Sequence, residues 1–147
     1  MRVYLDNCVF NRPFDDQTQS RIRSETKAIL YILQEIAAGG IELIWSHVND
    51  TENHRNENEE VKRLIFGWKE VARIEILETE NLLRRADLLL ELGLSVGDAL
   101  HVAAAAEGNA DLFLTTDDKL IRKVAEFEGV IVVNPTEAIE KLNEYIN

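Results

Sequence analysis

Five short apolar runs separated by helical stretches, with no hairpin signal between them, constrain this chain more than any other feature. Val3 to Asp6, Ile41 to Trp45, Arg73 to Leu77, Asp111 to Thr116 and Val130 to Val133 read as strands. No Asn-Gly or Asp-Gly pair joins any two of them. Strands that do not turn straight back are joined by crossovers, which gives a mostly parallel sheet covered on both faces. The expected fold is therefore a three-layer α/β/α domain. With 147 residues, 46% of them hydrophobic, one domain spanning 1–147 has enough apolar side chains for a core. No internal repeat, low-complexity tract or linker divides it.

The helices are legible from their periods and their ends. Asn7 to Gln19, with a proline and several Asx and Gln residues, reads as a long loop. From Thr18 onward Ile22, Thr26, Ile29, Leu30, Leu33 and Ile36 recur at helical spacing, and Gly39-Gly40 ends the helix. Ser46 is a cap for a short helix reaching about His54, and Val61, Leu64, Ile65 and Trp68 share one face of the next. Gly67 weakens that helix by roughly 1 kcal/mol relative to alanine. Thr79 caps a helix bearing Leu82, Leu83, Ala86 and Leu89, stopped by Gly93. Ser95-Val96-Gly97-Asp98 has the spacing of a capping box with Asp in place of Glu. Behind it, Ala99 to Glu107 is apolar nearly all round, which implies burial on several sides. Leu120, Ile121, Val124 and Phe127 mark another helix, and Pro135 starts a last one through Ile139, Leu142 and Ile146.

Two of the strands end in an aspartate, Asp6 and Asp117. A carboxylate at the end of a buried strand costs free energy unless something compensates it. In open α/β sheets ligands bind beyond the carboxyl ends of the strands, where both residues fall. Asp98, in the first turn of the buried helix, and Glu52, after the second strand, lie on the same side. Four acids gathered there repel one another unless some are protonated or a divalent cation neutralises them. Oxygen donors without a His or Cys cluster favour Mg²⁺ or Mn²⁺ over zinc. Each acid also has a plainer reading. Asp98 suits a helix terminus, Asp117 or Asp118 suits a cap, and Glu52 suits solvent. Asp6, which ends a strand and starts no predicted helix, resists that reading.

The remaining candidates point to structure. His101 reads as a buried histidine satisfied by Asp98 or by backbone, His47 and His54 as surface residues, and Cys8 as a small buried apolar residue. Trp45 and Trp68 read as core. The single cysteine excludes an internal disulfide. The start of the chain has no signal-peptide stretch and no run is long enough for a membrane helix, so the expected location is cytoplasmic. The net charge of −11 weighs against a nucleic-acid ligand, because phosphate contacts need basic surface. Arg12, Arg21, Arg23 and Lys27 are the candidates for a local basic strip.

The motifs resemble those of PIN-domain proteins, the VapC-type toxin ribonucleases in particular. Val3-Tyr4-Leu5-Asp6-Asn7 is similar to that family's first strand and first acid. Ser46 with Glu52 six residues later is similar to its second motif. Gly97-Asp98-Ala99-Leu100-His101 leading the alanine run resembles its third, and Leu114-Thr115-Thr116-Asp117 its fourth. The resemblance extends over essentially the whole chain. It departs at Asn7-Cys8, where many members carry Thr-Asn, and in the longer segment Asn11 to Gln19.

The resemblance implies a metal-dependent ribonuclease, with Asp6, Asp98 and Asp117 as metal ligands and Glu52 binding through water or orienting it. Thr115 would bond a ligand carboxylate and Asn7 would neighbour the site. It further implies an RNA substrate, an antitoxin partner and a homodimer. Two other readings compete: a non-catalytic PIN-like scaffold, which the acidic charge favours, and a haloacid-dehalogenase-type phosphatase. The second needs an aspartate where Cys8 stands.

Overall fold

The computed structural model describes residues 1–146, with side chains through Tyr145. The elements in order are β1 (Arg2–Leu5), α1 (Asn7–Asn11), a 3-10 turn (Arg12–Phe14), α2 (Ser20–Ala38), β2 (Glu42–Ser46), α3 (His47–His54), α4 (Glu59–Val71), β3 (Ile74–Ile76), α5 (Glu80–Leu90), α6 (Val96–Glu107), β4 (Leu112–Leu114), α7 (Asp118–Lys123), β5 (Ile131–Val133) and α8 (Pro135–Ile146). The five strands form one sheet in the order β3-β2-β1-β4-β5, and every neighbouring pair is parallel. Among the described residues no helix is long and apolar enough to cross a membrane.

Alternation along the strands builds two cores. Val3, Leu5, Leu43, Trp45, Leu112, Leu114 and Val133 face a layer made by α2, α4 and α8, filled by Ile29, Ile32, Leu33, Ile36, Ile65 and Leu142. Tyr4, Ile44 and Phe113 point the other way, against Leu82, Ala86 and Leu89 of α5 and the alanine face of α6. Each fully buried aliphatic side chain is worth about 1.5–3 kcal/mol, so these layers fix the register Val3↔Leu43 and Val3↔Leu112. Ala103 to Ala106 let α6 lie close to the sheet, and Gly108 continues that approach. A Cβ there would meet Ile44 Cδ1 at 3.1 Å. Gly39 ends α2 with φ +87°, a conformation that favours glycine.

The structure departs from the sequence expectation in four places. Asn7 to Gln19 is not a continuous loop: α1 and the 3-10 turn occupy Asn7 to Phe14, because Val9 and Phe10 are buried against the sheet. Leu30, Leu64 and Leu83, expected inside, are 52%, 49% and 39% exposed; they sit at the edges of apolar stripes whose centres are buried. α7 stops at Lys123, so Phe127 lies beyond it. The reciprocal capping box forms at Ser46–Asn49, whereas Ser95 accepts from the Asp98 backbone N–H at 3.2 Å. The Ile146 side chain, assigned from sequence to the apolar face of α8, lies outside the described residues.

Candidate active site

The chain lays β2 and β3 on one side of β1, then returns to lay β4 and β5 on the other. The crevice beyond the carboxyl ends of β1 and β4 is therefore the switch point, where such sheets hold ligands. Asp6 follows β1 directly. Its backbone N–H donates to Leu114 O at 3.0 Å, and its carbonyl accepts from Val9 N at 2.9 Å, which turns the chain into α1. The side chain is thus left at the floor of the crevice, nearly buried.

Thr115 fixes Asp6 from the neighbouring strand. Its fully buried hydroxyl donates to Asp6 Oδ2 at 2.8 Å and accepts the Asp117 backbone N–H at 3.1 Å. Asp117 in turn caps α7, its Oδ1 accepting from Lys119 N at 2.9 Å and Leu120 N at 3.2 Å. The plain capping reading of Asp117 thus describes one of its oxygens.

Glu52 arrives from α3. Its Oε1 is 2.5 Å from His101 Nε2, and that nitrogen is 3.7 Å from Asp6 Oδ1. Ligand-capable atoms of Asp6, Glu52 and His101 all lie within 4.8 Å of one another. Asp98 sits half-buried at the start of α6; burial, and then the charges of Asp6 and Asp117, push its carboxyl above its usual range. The tight cluster therefore joins two of the four expected acids and a histidine. Asp98 and Asp117 stand around it, close enough for their charges to be felt.

His101 corrects the sequence reading in its partners. It is fully buried as expected, yet Glu52 and Tyr4 satisfy it, not Asp98 or backbone. Its Nδ1 is 2.5 Å from the Tyr4 hydroxyl, which is 2.6 Å from Ser46 Oγ. Burial pushes the imidazole pKa down, but the Glu52 hydrogen bond and the charges of Asp6, Glu52 and Asp98 outweigh it and raise it. Burial also keeps the Tyr4 phenol protonated.

Asn7 is buried, and its Oδ1 accepts from Asn49 Nδ2 at 2.7 Å. The same Asn49 amide donates to Leu5 O at 3.2 Å, and Asn49 Oδ1 accepts the Ser46 backbone N–H at 2.9 Å. Asn7 therefore ties α3 to the end of β1, one step from the carboxylates. Asn49 was not singled out from the sequence; its signal is the Ser-x-x-Asn spacing after a strand. Cys8 packs against Thr115 Oγ1 at 3.5 Å, and burial followed by the Asp6 charge has its thiol pushed up to about 12. His47 is half-buried, in partial departure from the surface reading.

Two of the four residues of the expected basic strip, Arg12 and Arg21, are spent on acids. Arg12 reaches Glu25 at 3.1 Å and Asp15 at 3.1 Å. Arg21 grips Asp118 with two bonds of 2.8 Å and Glu25 with one of 3.3 Å. Glu25 itself is buried and accepts from Asn134 at 2.6 Å. This network joins α2 to the loops after β4 and β5 and serves the fold.

A sequence model of the PIN domain matches residues 3–126. No curated protein matches the chain. Among solved structures, the chain is similar to one in the crystal structure of VapBC2 from Rickettsia felis bound to a DNA fragment from their promoter. That match has 15% identity and a TM-score of 0.61, over 91% of this chain and 98% of that one. It is also similar to a chain of VapBC-1 from nontypeable Haemophilus influenzae, with 16% identity and a TM-score of 0.58, over 92% and 99% respectively. At such identities the likeness to these two is one of fold.

Proposed function

Because the chain belongs to the PIN-domain family, we propose that it is a Mg²⁺- or Mn²⁺-dependent endoribonuclease, the VapC-like toxin of a toxin–antitoxin pair. The observation that carries this is the gathering of Asp6, Glu52 and His101 within 4.8 Å at the switch point, with Asp98 held in the field of Asp6 and Asp117. Such a concentration of negative charge is unfavourable on its own, and after burial it adds to the upward push on Asp98.

The donor set fits a hard divalent cation: carboxylate oxygens dominate, and the imidazole is already engaged by Glu52 and Tyr4. Asp6, Asp98 and Asp117 would hold the ion. A cation bound there lowers the pKa of water and offsets charge growing on a phosphate. The chain's own residues do the positioning. Thr115 orients Asp6, and the α7 N-terminus orients Asp117 through Oδ1, so that Oδ2 would be the oxygen to hold a cation. Glu52, held through Oε1 by His101, would bind the metal through water or orient the attacking water. The Cys8 thiol, protonated at neutral pH, takes no part.

Surface features support the partners. Phe14, Leu30, Leu64 and Val71 are exposed around a groove floored by Phe10 and Trp68, between α2 and α4. An apolar groove of this kind suits a protein segment, here an antitoxin, and the net charge of −11 suits a basic one that places an arginine among the carboxylates. Leu88 and Leu92, exposed beside Phe127, offer a second apolar face for a homodimer.

The test is RNA cleavage by the purified protein in Mg²⁺ or Mn²⁺, beside Asp6→Asn and Asp98→Asn. Cleavage should be abolished by a chelator and fall at least about a hundredfold in each variant. Variants that cleave as fast as the parent would overturn the assignment, and a parent that binds no Mn²⁺ by calorimetry would leave the scaffold reading. Co-purification of a small basic protein, and light scattering at the dimer mass, check the two partners.

A further inference from the structure

His101 lies inside the acid cluster and would pass for a metal ligand by distance alone. Its two nitrogens have different surroundings. Nε2 faces two carboxylates, Glu52 Oε1 at 2.5 Å and Asp6 Oδ1 at 3.7 Å. Nδ1 faces the Tyr4 hydroxyl, which can donate or accept. A bare lone pair on Nε2 would point at negative oxygens and be repelled. Nε2 therefore carries the hydrogen whether the ring is neutral or cationic, and a nitrogen bearing hydrogen has no lone pair for a cation.

The bonds beyond the ring form a closed circuit. Tyr4 meets Ser46 Oγ at 2.6 Å, and that same oxygen accepts Val48 N at 3.1 Å and Asn49 N at 3.4 Å, starting α3. Glu52 is carried by α3. From Ser46 the path crosses β1 at Tyr4 and α6 at His101, then returns to α3 at Glu52. The Glu52 side chain is still 32% exposed, so without the circuit it would sample several rotamers.

We propose that His101 is a positioning residue and not a metal ligand: its Nε2–H holds Glu52 in one rotamer, and the Tyr4–Ser46 pair holds the ring against the helix that carries Glu52. The catalytic consequence rests on the nuclease reading; the hydrogen-bond assignment does not. The role assigned to His101 resembles that of a carboxylate-orienting partner around a metal centre, with the usual polarity reversed, since here the imidazole orients the carboxylate.

Two measurements test it. In metal-free protein with ¹⁵N-labelled histidine, the three histidines are few enough to assign, and His101 should show a slowly exchanging proton on Nε2. That proton should persist in saturating Mg²⁺ and exchange rapidly in Glu52→Ala. An unprotonated Nε2, or one that loses its proton when Mg²⁺ binds, would overturn the proposal. In RNA hydrolysis, His101→Leu should lower kcat about tenfold with KM unchanged within about twofold, His101→Gln should recover most of that loss, and His101→Leu should add nothing in a Glu52→Gln background. Equal losses in both backgrounds would overturn it as well. If the parent cleaves no RNA, the nuclease reading fails, while the nitrogen spectra still decide the role of His101.

Discussion

Thr115→Val removes one hydroxyl from the floor of the crevice and leaves its volume filled. The side chain is fully buried, so solvent does not replace what is lost. Its bond to Asp6 Oδ2, at 2.8 Å, has a charged acceptor and is worth about 1.5–3 kcal/mol. The Asp117 N–H, at 3.1 Å, loses its acceptor too; water reaches this half-buried position, so that loss is about 0.5–1 kcal/mol. The variant should therefore be about 2–4 kcal/mol less stable, lowering the melting temperature of a chain of this size by roughly 5–12 °C. Thr115→Ser keeps the hydroxyl and loses a methyl group, about 1 kcal/mol. The assay is thermal unfolding in chelator, with Mn²⁺ calorimetry on the same samples. A valine variant as stable as the parent, or more stable than the serine one, would show that packing matters at Thr115 and the hydroxyl bond does not.

Other expectations concern charge. Asp98→Asn should raise the stability of the metal-free protein, by on the order of 0.5 kcal/mol, and weaken Mn²⁺ binding, because burial and the charges of Asp6 and Asp117 already oppose ionisation of Asp98; urea unfolding and calorimetry read both signs. The His101 pKa is raised above its ordinary 6.5, so its contribution to metal-free stability should be complete below about pH 6.5 and vanish as pH rises through the folded-state value. Unfolding midpoints across pH 5–9 for the parent and His101→Gln check this, and identical profiles would refute it. Cys8, pushed from 9.0 to about 12, should have a thiolate fraction on the order of a thousandfold below that of an ordinary thiol. Alkylation as fast in native protein as in urea would contradict that.

The fold was legible wherever local chemistry and tertiary packing agree. Among the described residues, all five strands and seven of the eight helices lie where apolar period, Ser46, Thr79, Gly39 and Gly93 put them, because each signal there acts over a few residues. α1 was not legible: Asn7, Cys8 and Asn11 are poor helix formers, and the turn exists because Val9 and Phe10 bury themselves under the sheet. Leu30, Leu64 and Leu83 show the converse limit, since a period marks the centre of a stripe and says little about its edges. In the site, Asp6 could be read from a strand ending, and Thr115 from the resemblance of Leu114-Thr115-Thr116-Asp117 to a family motif. The link from His101 to Glu52 could not, because its two ends are separated by 49 positions and belong to different helices.

The central position of β1 has a consequence in time. Leu5 pairs with Leu114, and Asp6 receives its hydroxyl partner from a residue 109 positions later. At a synthesis rate of about 5–20 residues per second, the first carboxylate waits roughly 5–20 seconds on the ribosome before β4 emerges to support it. Until β4 has been made, Asp6 has neither its strand neighbour nor its hydroxyl partner. A premature stop before Leu112 yields fragments that lack both the β4 edge of the crevice and the Thr115 hydroxyl.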